Sequence, residues 1–174
     1  MPRPNPGALG FTRRALRALI ALNLLVGFLV LALLIATLVA ETPVIGALGV
    51  PPTEENAALI AGMRLIMAIG VVMVPLGHVV LTRLLALVDT VGRSDPFVVE
   101  NAMRLRTMAW AVLGLEILHL GVGVIASSVS SREQPLDVDW SFSFTRWIAV
   151  LLLFVLARVF EQGALMRDDL QGTV

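Results

Sequence analysis

The chain has 174 residues, of which 57% are hydrophobic and only 15% charged, and a soluble domain of this length cannot bury so large an apolar fraction. The 13 basic residues, all of them arginine, balance the 13 acidic ones, so no basic surplus indicates direct binding of nucleic acid. Cysteine is absent, which excludes disulfides, thiolate catalysis and thiolate metal sites. With a mean hydropathy of +0.89, the composition predicts a protein whose solvent is lipid.

The N-terminal segment is rich in proline and glycine and then becomes apolar. Pro2, Pro4 and Pro6 predict a disordered cytoplasmic arm over residues 1–12. Residues 16–40 form an apolar run that is longer than a secretory h-region of about 7 to 15 residues. We therefore expect a retained first membrane span, with a cleaved signal peptide ending near residue 40 as the alternative.

The second span follows a turn-rich segment over residues 41–52. Thr53 is placed to cap the helix, with acidic residues in the first turn after it. The apolar pattern then predicts a span over residues 57–81. Pro75 lies inside this span, where its missing N–H and its ring predict a kink.

The third span has a helix-start signal, Ser94 followed by Asp95 and Pro96, which places a proline in the first helical turn. Residues 97–107 would form a cytoplasmic or interfacial lead-in. Within it, Glu100 and Arg104 have the i,i+4 spacing of an ion pair, although we prefer to interpret them as part of a solvated helix face.

The apolar part of the third span covers residues 108–129, and the fourth span covers about 144–165. Between them, residues 136–144 alternate apolar and polar side chains, which is typical of an extended strand. Because open strand edges are not tolerated in hydrocarbon, such a strand would lie at the interface or cap the bundle.

The distribution of arginine predicts the orientation, since cytoplasmic loops keep positive charge during insertion. The arginines expected on one side of the membrane are Arg3, Arg13, Arg14, Arg17, Arg83, Arg93, Arg104, Arg106, Arg158 and Arg167. The opposite loops hold only Arg132 and Arg146 and are mostly acidic. The sequence therefore predicts an all-α integral membrane protein: a single domain over residues 1–174, a four-transmembrane-helix bundle with both termini cytoplasmic, in the bacterial cytoplasmic (inner) membrane.

Four ionisable residues fall inside the predicted spans, where an unpaired charge costs at least about 2.5 kcal/mol. They are Arg64, His78, Glu116 and His119. We expect Arg64 to pair with Glu116 across neighbouring antiparallel helices. Glu116 and His119 share a helix face and could form a proton relay or half of a ligand site; equally, they could be hydrogen-bonding groups between packed helices.

No motif for a cofactor, metal or catalytic site accompanies these residues. His78 and His119 differ in expected depth, which argues against bis-histidine haem, and HExxH, GxSxG and P-loop patterns are missing. Small residues at four-residue spacing, as in Ala58 with Gly62, favour close helix packing or a homodimer without choosing between them. We therefore expect no enzyme, metal or cofactor, and membrane lipid as the surrounding partner.

Two predicted cytoplasmic segments carry a family resemblance. The first holds Asp95, Pro96, Phe97, Asn101, Arg104, Leu105 and Arg106, and the second runs from Val159 through Glu161, Gln162 and Gly163 to the terminal Gly172, Thr173 and Val174. Together they resemble the bacterial membrane protein family of domain of unknown function 2975. The resemblance implies a four-helix membrane protein without assigned chemistry, often encoded beside a small Cro-like helix-turn-helix regulator. Gly172 departs from the apolar residue that members often place before the final Thr.

Two hypotheses for function follow. In the first, a non-enzymatic membrane protein acts through its cytoplasmic face on a transcription regulator, with Asp95, Pro96, Phe97, Asn101, Arg104 and Arg106 as docking candidates. In the second, a small proton-coupled transporter or ligand-binding membrane protein works with Arg64, Glu116 and His119. An enzyme of lipid or envelope chemistry is a distant third.

Overall fold

The computed structural model of the chain describes residues 6–91, 98–130 and 143–171. Within these ranges the structure is all-helical. Its elements in chain order are α1 (Pro6–Val39), α2 (Glu41–Ala47), a single 3₁₀ turn (Glu54–Asn56), α3 (Ala57–Val91), α4 (Val99–Val129) and α5 (Phe144–Gln171).

Four of these helices are long and apolar enough to cross a membrane, which confirms the predicted all-α class and its four long hydrophobic helices. The segments that satisfy both conditions are Leu9–Val39, Glu54–Thr90, Val99–Val129 and Phe144–Arg167. Large apolar side chains such as Phe28, Leu151 and Val124 are more than half exposed on them. Contiguous apolar surface of this kind is rare on proteins that fold in water.

The helices extend beyond the apolar runs that predict them. Helix α1 begins at Pro6, inside the segment 1–12 that was expected to be disordered, because a proline in the first turn has no N–H to satisfy there. Helix α3 continues to Val91, beyond the predicted span end at residue 81, and α4 begins at Val99, within the lead-in predicted over residues 97–107 before the apolar span. Hydropathy locates the lipid-matched part of a helix, whereas the backbone hydrogen bonds continue into its polar ends.

The segment after α1 forms an element that the sequence analysis missed. Residues 41–52 were expected to be turns, but Glu41–Ala47 is a helix. It ends in a Schellman motif, in which the Val50 N–H donates to the Ile45 carbonyl and the Gly49 N–H donates to the Gly46 carbonyl. Gly49 has a φ of 84°, in the left-handed region that only glycine adopts at little cost. Ile45 and Val50 supply the apolar contact of the motif.

Other local predictions meet mixed outcomes. Thr53 lies at the predicted N-cap position with an extended backbone, but its side chain makes no capping hydrogen bond, and a 3₁₀ turn precedes α3. Pro75 lies inside the continuous helix α3. Of the possible strand over residues 136–144, Ser143 lies in neither a helix nor a strand, and residue 144 is the first residue of α5. Residues 136–142 and the signal at residues 94–96 lie outside the described residues.

The structure divides into two compact units. The first, here called the terminal unit, comprises the described residues among 1–23, 76–114 and 143–174, and the second, the connector unit, those among 24–75 and 115–142. Helices α1, α3 and α4 each contribute residues to both units, and the division of α3 falls at Pro75. The single domain expected from chain length stays a prediction.

Close helix contacts hold each unit together. In the connector unit, a Cβ added at Gly27 would lie 2.6 Å from a methyl group of Val74, and one added at Gly62 would lie 2.7 Å from a methyl group of Val129. Gly62 thus allows the close approach of α3 and α4 for which its small size is suited. In the terminal unit, Leu105, Met108 and Ala157 form a buried apolar cluster between α4 and α5.

Candidate functional site

One end of the terminal unit gathers segments from four helices. An ion pair of 2.5 Å between Arg13 Nε and Asp89 Oδ1 joins the start of α1 to the end of α3. Leu87 and Phe160 pack on the buried cluster of α4 and α5, so the start of α4 and the later part of α5 meet there as well. The arginines on these segments are Arg13, Arg14, Arg17, Arg83, Arg104, Arg106, Arg158 and Arg167. We call this the basic end.

Arg104 connects α4 to α3 through neutral oxygen atoms. Its Nη1 donates to Thr90 Oγ1 at 2.5 Å, to Asn101 Oδ1 at 2.8 Å and to the Ala86 carbonyl at 3.2 Å. Thr90 Oγ1 also donates to the Ala86 carbonyl, at 2.8 Å. Asn101 is completely buried. Because a buried amide must be hydrogen-bonded, this network ties the register of α4 to that of α3.

The network changes the interpretation of the predicted docking residues. Contrary to the prediction from the sequence, Arg104 neither pairs with Glu100 nor lies on a solvated helix face, because its guanidinium donates to oxygens of α3. Asn101 is completely buried and therefore inaccessible to a partner. Arg106 is exposed, as a docking residue must be. Asp95, Pro96 and Phe97 lie outside the described residues.

A groove between α4 and α5 opens beside this network. Its volume is about 380 Å³, and its lining is partly apolar and partly charged: Val99, Ala102, Met103, Arg106, Trp110, Phe154, Ala157, Arg158 and Glu161. Trp110 and Phe154 meet edge to face, with ring centroids 5.2 Å apart. Arg158 Nη1 lies 3.0 Å from Glu161 Oε2, one turn along α5. Exposed aromatic and cationic groups therefore share one surface.

The connector unit contains a second arginine site. Arg64 Nη2 donates to Glu41 Oε2 at 3.0 Å and to the Thr37 carbonyl at 2.5 Å. Thr37 lies in the last turn of α1, where backbone carbonyls have no partner within the helix, so a cation there both bonds a free oxygen and compensates the helix dipole. The predicted ion pair of Arg64 with Glu116 is therefore wrong, since Glu41, at the start of α2, supplies the carboxylate.

A cleft of about 330 Å³ adjoins this pair. Its lining consists of Glu41, Pro52, Thr53, Glu54, Ala57, Ile60, Ala61 and Arg64. The Arg64 side chain is 24% exposed and that of Glu41 is 49% exposed. The pair is thus open to its surroundings rather than sealed between helices.

The other predicted intramembrane residues are half-buried. Glu116 and His119 lie on α4 and both interact with other groups. His78 lies on α3, and its Nδ1 is buried without a hydrogen-bond partner among the described residues. No group of three potential metal-binding side chains occurs in the described ranges. The structure does not bring Arg64 and Glu116 together as the transport hypothesis expects.

Sequence reasoning missed three members of these sites. Thr90 gave no signal, because a hydroxyl inside a helix normally bonds its own preceding turn. The sequence identifies Glu41 only as an acidic residue of a predicted outer loop. It identifies Arg158 only as one of the arginines that predict the membrane orientation, although the i,i+3 spacing of Arg158 and Glu161 is typical of an ion pair on a helix.

Comparison with known proteins places these features in a family. No curated protein and no solved structure matches the chain. A family model described as a protein of unknown function (DUF2975) matches residues 33–174, which include the Arg104 network, the groove and the Arg64 pair. The match confirms the resemblance noted from the two motif segments, and the chain belongs to this family of unknown function.

Proposed function

We propose that the chain is a bacterial inner-membrane protein that crosses the bilayer four times with both termini in the cytoplasm. The apolar helices and their exposed side chains support insertion. The basic end supports the orientation, because arginines are retained on the cytoplasmic side. At the far ends of α1 and α3, acidic Glu41, Glu54 and Glu55 predominate.

The absence of cysteine gives a direct test of this topology. Gly46→Cys and Glu100→Cys each introduce a single thiol at an exposed position outside the predicted spans, on α2 and α4 respectively. We expect a membrane-impermeant maleimide to label Gly46→Cys in intact spheroplasts and Glu100→Cys only after lysis. The reverse pattern, or labelling of both in intact spheroplasts, contradicts the proposed orientation.

We further propose that the protein is non-enzymatic and acts through the basic end on a soluble regulatory protein. The observation that carries this proposal is the exposure of Arg14 and Arg17 on α1 and of Arg83 on α3, at one end of the terminal unit. Arg104 and Asn101 of the same end are engaged in internal hydrogen bonds. The exposed charges are therefore those available to a partner, and the helix-turn-helix regulator implied by the family is our candidate.

Co-purification in detergent tests the regulatory role. A helix-turn-helix regulator of the kind that the family resemblance implies is co-expressed with the chain and with an Arg14→Gln, Arg17→Gln, Arg83→Gln variant. We expect the wild type to retain the regulator and the variant to lose most of it, because electrostatic docking depends on these charges. A matched control removes one lipid-facing side chain, Val124→Ala, and should retain it. If the regulator never co-purifies, or if the triple variant retains it fully, the role is contradicted.

Proton-coupled transport by Arg64, Glu116 and His119 receives less support. The guanidinium of Arg64 is bound by Glu41 and by the end of α1. A group that caps a helix contributes to stability whether or not anything is transported.

A further inference from the structure

In the groove between α4 and α5, cationic and exposed apolar side chains line a single cavity. We propose that this groove binds one anionic phospholipid, with the phosphate on the arginines and an acyl chain along the apolar wall. The inference rests on the membrane placement proposed above and is independent of the regulatory partner. It also gives Arg106, first considered as a protein-docking residue, a different ligand.

The charges of the groove favour an anion. Arg106 is exposed and has no hydrogen-bond or ion-pair partner in the described part of the chain. Arg158 is paired with Glu161, but these two side chains are 70% and 45% exposed, so the pair is weak and can be rearranged. Among the described residues that line the groove, two are arginines and one is a glutamate, so positive charge is in excess. Guanidinium binds phosphate oxygens through two parallel hydrogen bonds, which suits a phosphodiester headgroup.

The apolar wall favours a lipid over free phosphate. Met103 and Trp110 are 63% and 59% exposed beside Arg106 on α4. On α5, Leu151 is 63% exposed and precedes Phe154 by three residues, so the apolar surface continues along the same helix face. A soluble phosphate could use only the cationic rim, whereas a phospholipid covers the rim and the wall at once. Tryptophan at this level is also typical of the bilayer interface.

Native mass spectrometry of the full chain provides the test. Protein released from detergent is titrated with phosphatidylglycerol or phosphatidylcholine, and the bound fraction of each is compared. The variants are Arg106→Gln, which removes the unpaired charge, and Met103→Gln, which alters the apolar wall. Arg83→Gln is the matched control, because it removes an exposed arginine of the same end that does not line the groove.

We expect the wild type to prefer phosphatidylglycerol, and we expect Arg106→Gln to reduce that preference about five-fold, the usual effect of one basic residue at an anionic lipid surface. Met103→Gln should weaken the binding of both lipids to the same extent, and Arg83→Gln should bind both lipids as the wild type does. Glycerol 1-phosphate should not displace the bound lipid. Equal melting temperatures of the variants show that folding is intact.

Several results would overturn the proposal. One is a wild type without headgroup preference, and another is an equal loss in Arg106→Gln and Arg83→Gln, which indicates diffuse attraction. Displacement by glycerol 1-phosphate assigns the groove to a free phosphate, and displacement by a soluble acidic peptide assigns it to a protein. None of these results changes the thiol-labelling test of topology, so failure of the lipid site and failure of the membrane placement are distinguishable.

Discussion

Arg104 and Arg64 both bond a backbone carbonyl of a neighbouring helix, but their other hydrogen-bond partners differ in charge and in burial. Arg104, in the terminal unit, binds oxygens of Ala86, Thr90 and the completely buried Asn101, all of them neutral. Arg64, in the connector unit, binds a carboxylate and the last turn of α1 in a cleft. In each site an arginine of one helix bonds a backbone carbonyl of another. The difference lies in the remaining partners: a buried amide depends completely on its hydrogen bonds, whereas an exposed carboxylate can exchange its partner for water.

This difference separates structural polar groups from groups available for binding. In the terminal unit, Arg104 points inward while Arg106, two residues further along α4, is exposed at the groove. Positions two apart on a helix do not share a face. One short segment can therefore hold the helices in register with one arginine and present the other to a ligand.

The largest effect is expected from loss of the buried amide in the terminal unit. Asn101→Ala removes the buried acceptor among the three oxygens that Arg104 Nη1 contacts. A hydrogen bond to a charged group typically contributes about 1.5 to 3 kcal/mol, so the free energy of unfolding should fall by roughly 2 kcal/mol. Thermal unfolding in detergent, followed by tryptophan fluorescence, measures the change. Arg106→Ala, on the exposed face of the same helix, is the control and should change stability little. If Asn101→Ala is as stable as the control, the network does not hold the helices together.

Hydropathy predicts most of the fold, but it does not predict most of the contacts in the two arginine sites. The four long helices could be predicted because a run of about 20 apolar residues has the length and composition of a membrane-spanning helix. Helix α2 was not, because seven residues carry too little periodicity, and only Gly49 and the acidic Glu41 marked its ends. The predicted pairing of Arg64 is wrong because the free-energy cost of placing a charge in the membrane indicates that Arg64 needs a partner, but it does not indicate which helix supplies that partner. Burial of Asn101 likewise depends on which face of α4 meets α3. The first turns of α4 carry polar side chains on more than one face, so the sequence does not reveal which of them is buried.

An intermediate effect is expected at the turn that places Glu41 next to Arg64. Gly49→Ala forces an L side chain into the left-handed region and should cost about 1 kcal/mol of unfolding free energy. Gly46→Ala is the matched control, because a Cβ at either glycine meets no atom within 4 Å. At Gly46 the backbone is helical, and alanine should be neutral or slightly stabilising. The difference between the two variants isolates backbone strain, and equal melting temperatures would show that the motif is not needed to close α2.

The smallest effect is expected from the exposed carboxylate of the connector unit. Glu41→Gln retains the side-chain length and a carbonyl acceptor but removes the charge, and with Glu41 49% exposed the loss should stay below about 1 kcal/mol. Arg64→Gln should cost more, because it also removes the donor to the Thr37 carbonyl at the end of α1. Melting temperatures at low and high salt test this order. Salt screens an exposed ion pair, so the difference in melting temperature between wild type and Glu41→Gln should become smaller at high salt. Most of the decrease in melting temperature caused by Arg64→Gln should remain. If the two variants were equally destabilised and equally salt-sensitive, Arg64 would be held by its ion pair alone, and its bond to the Thr37 carbonyl would contribute nothing to stability.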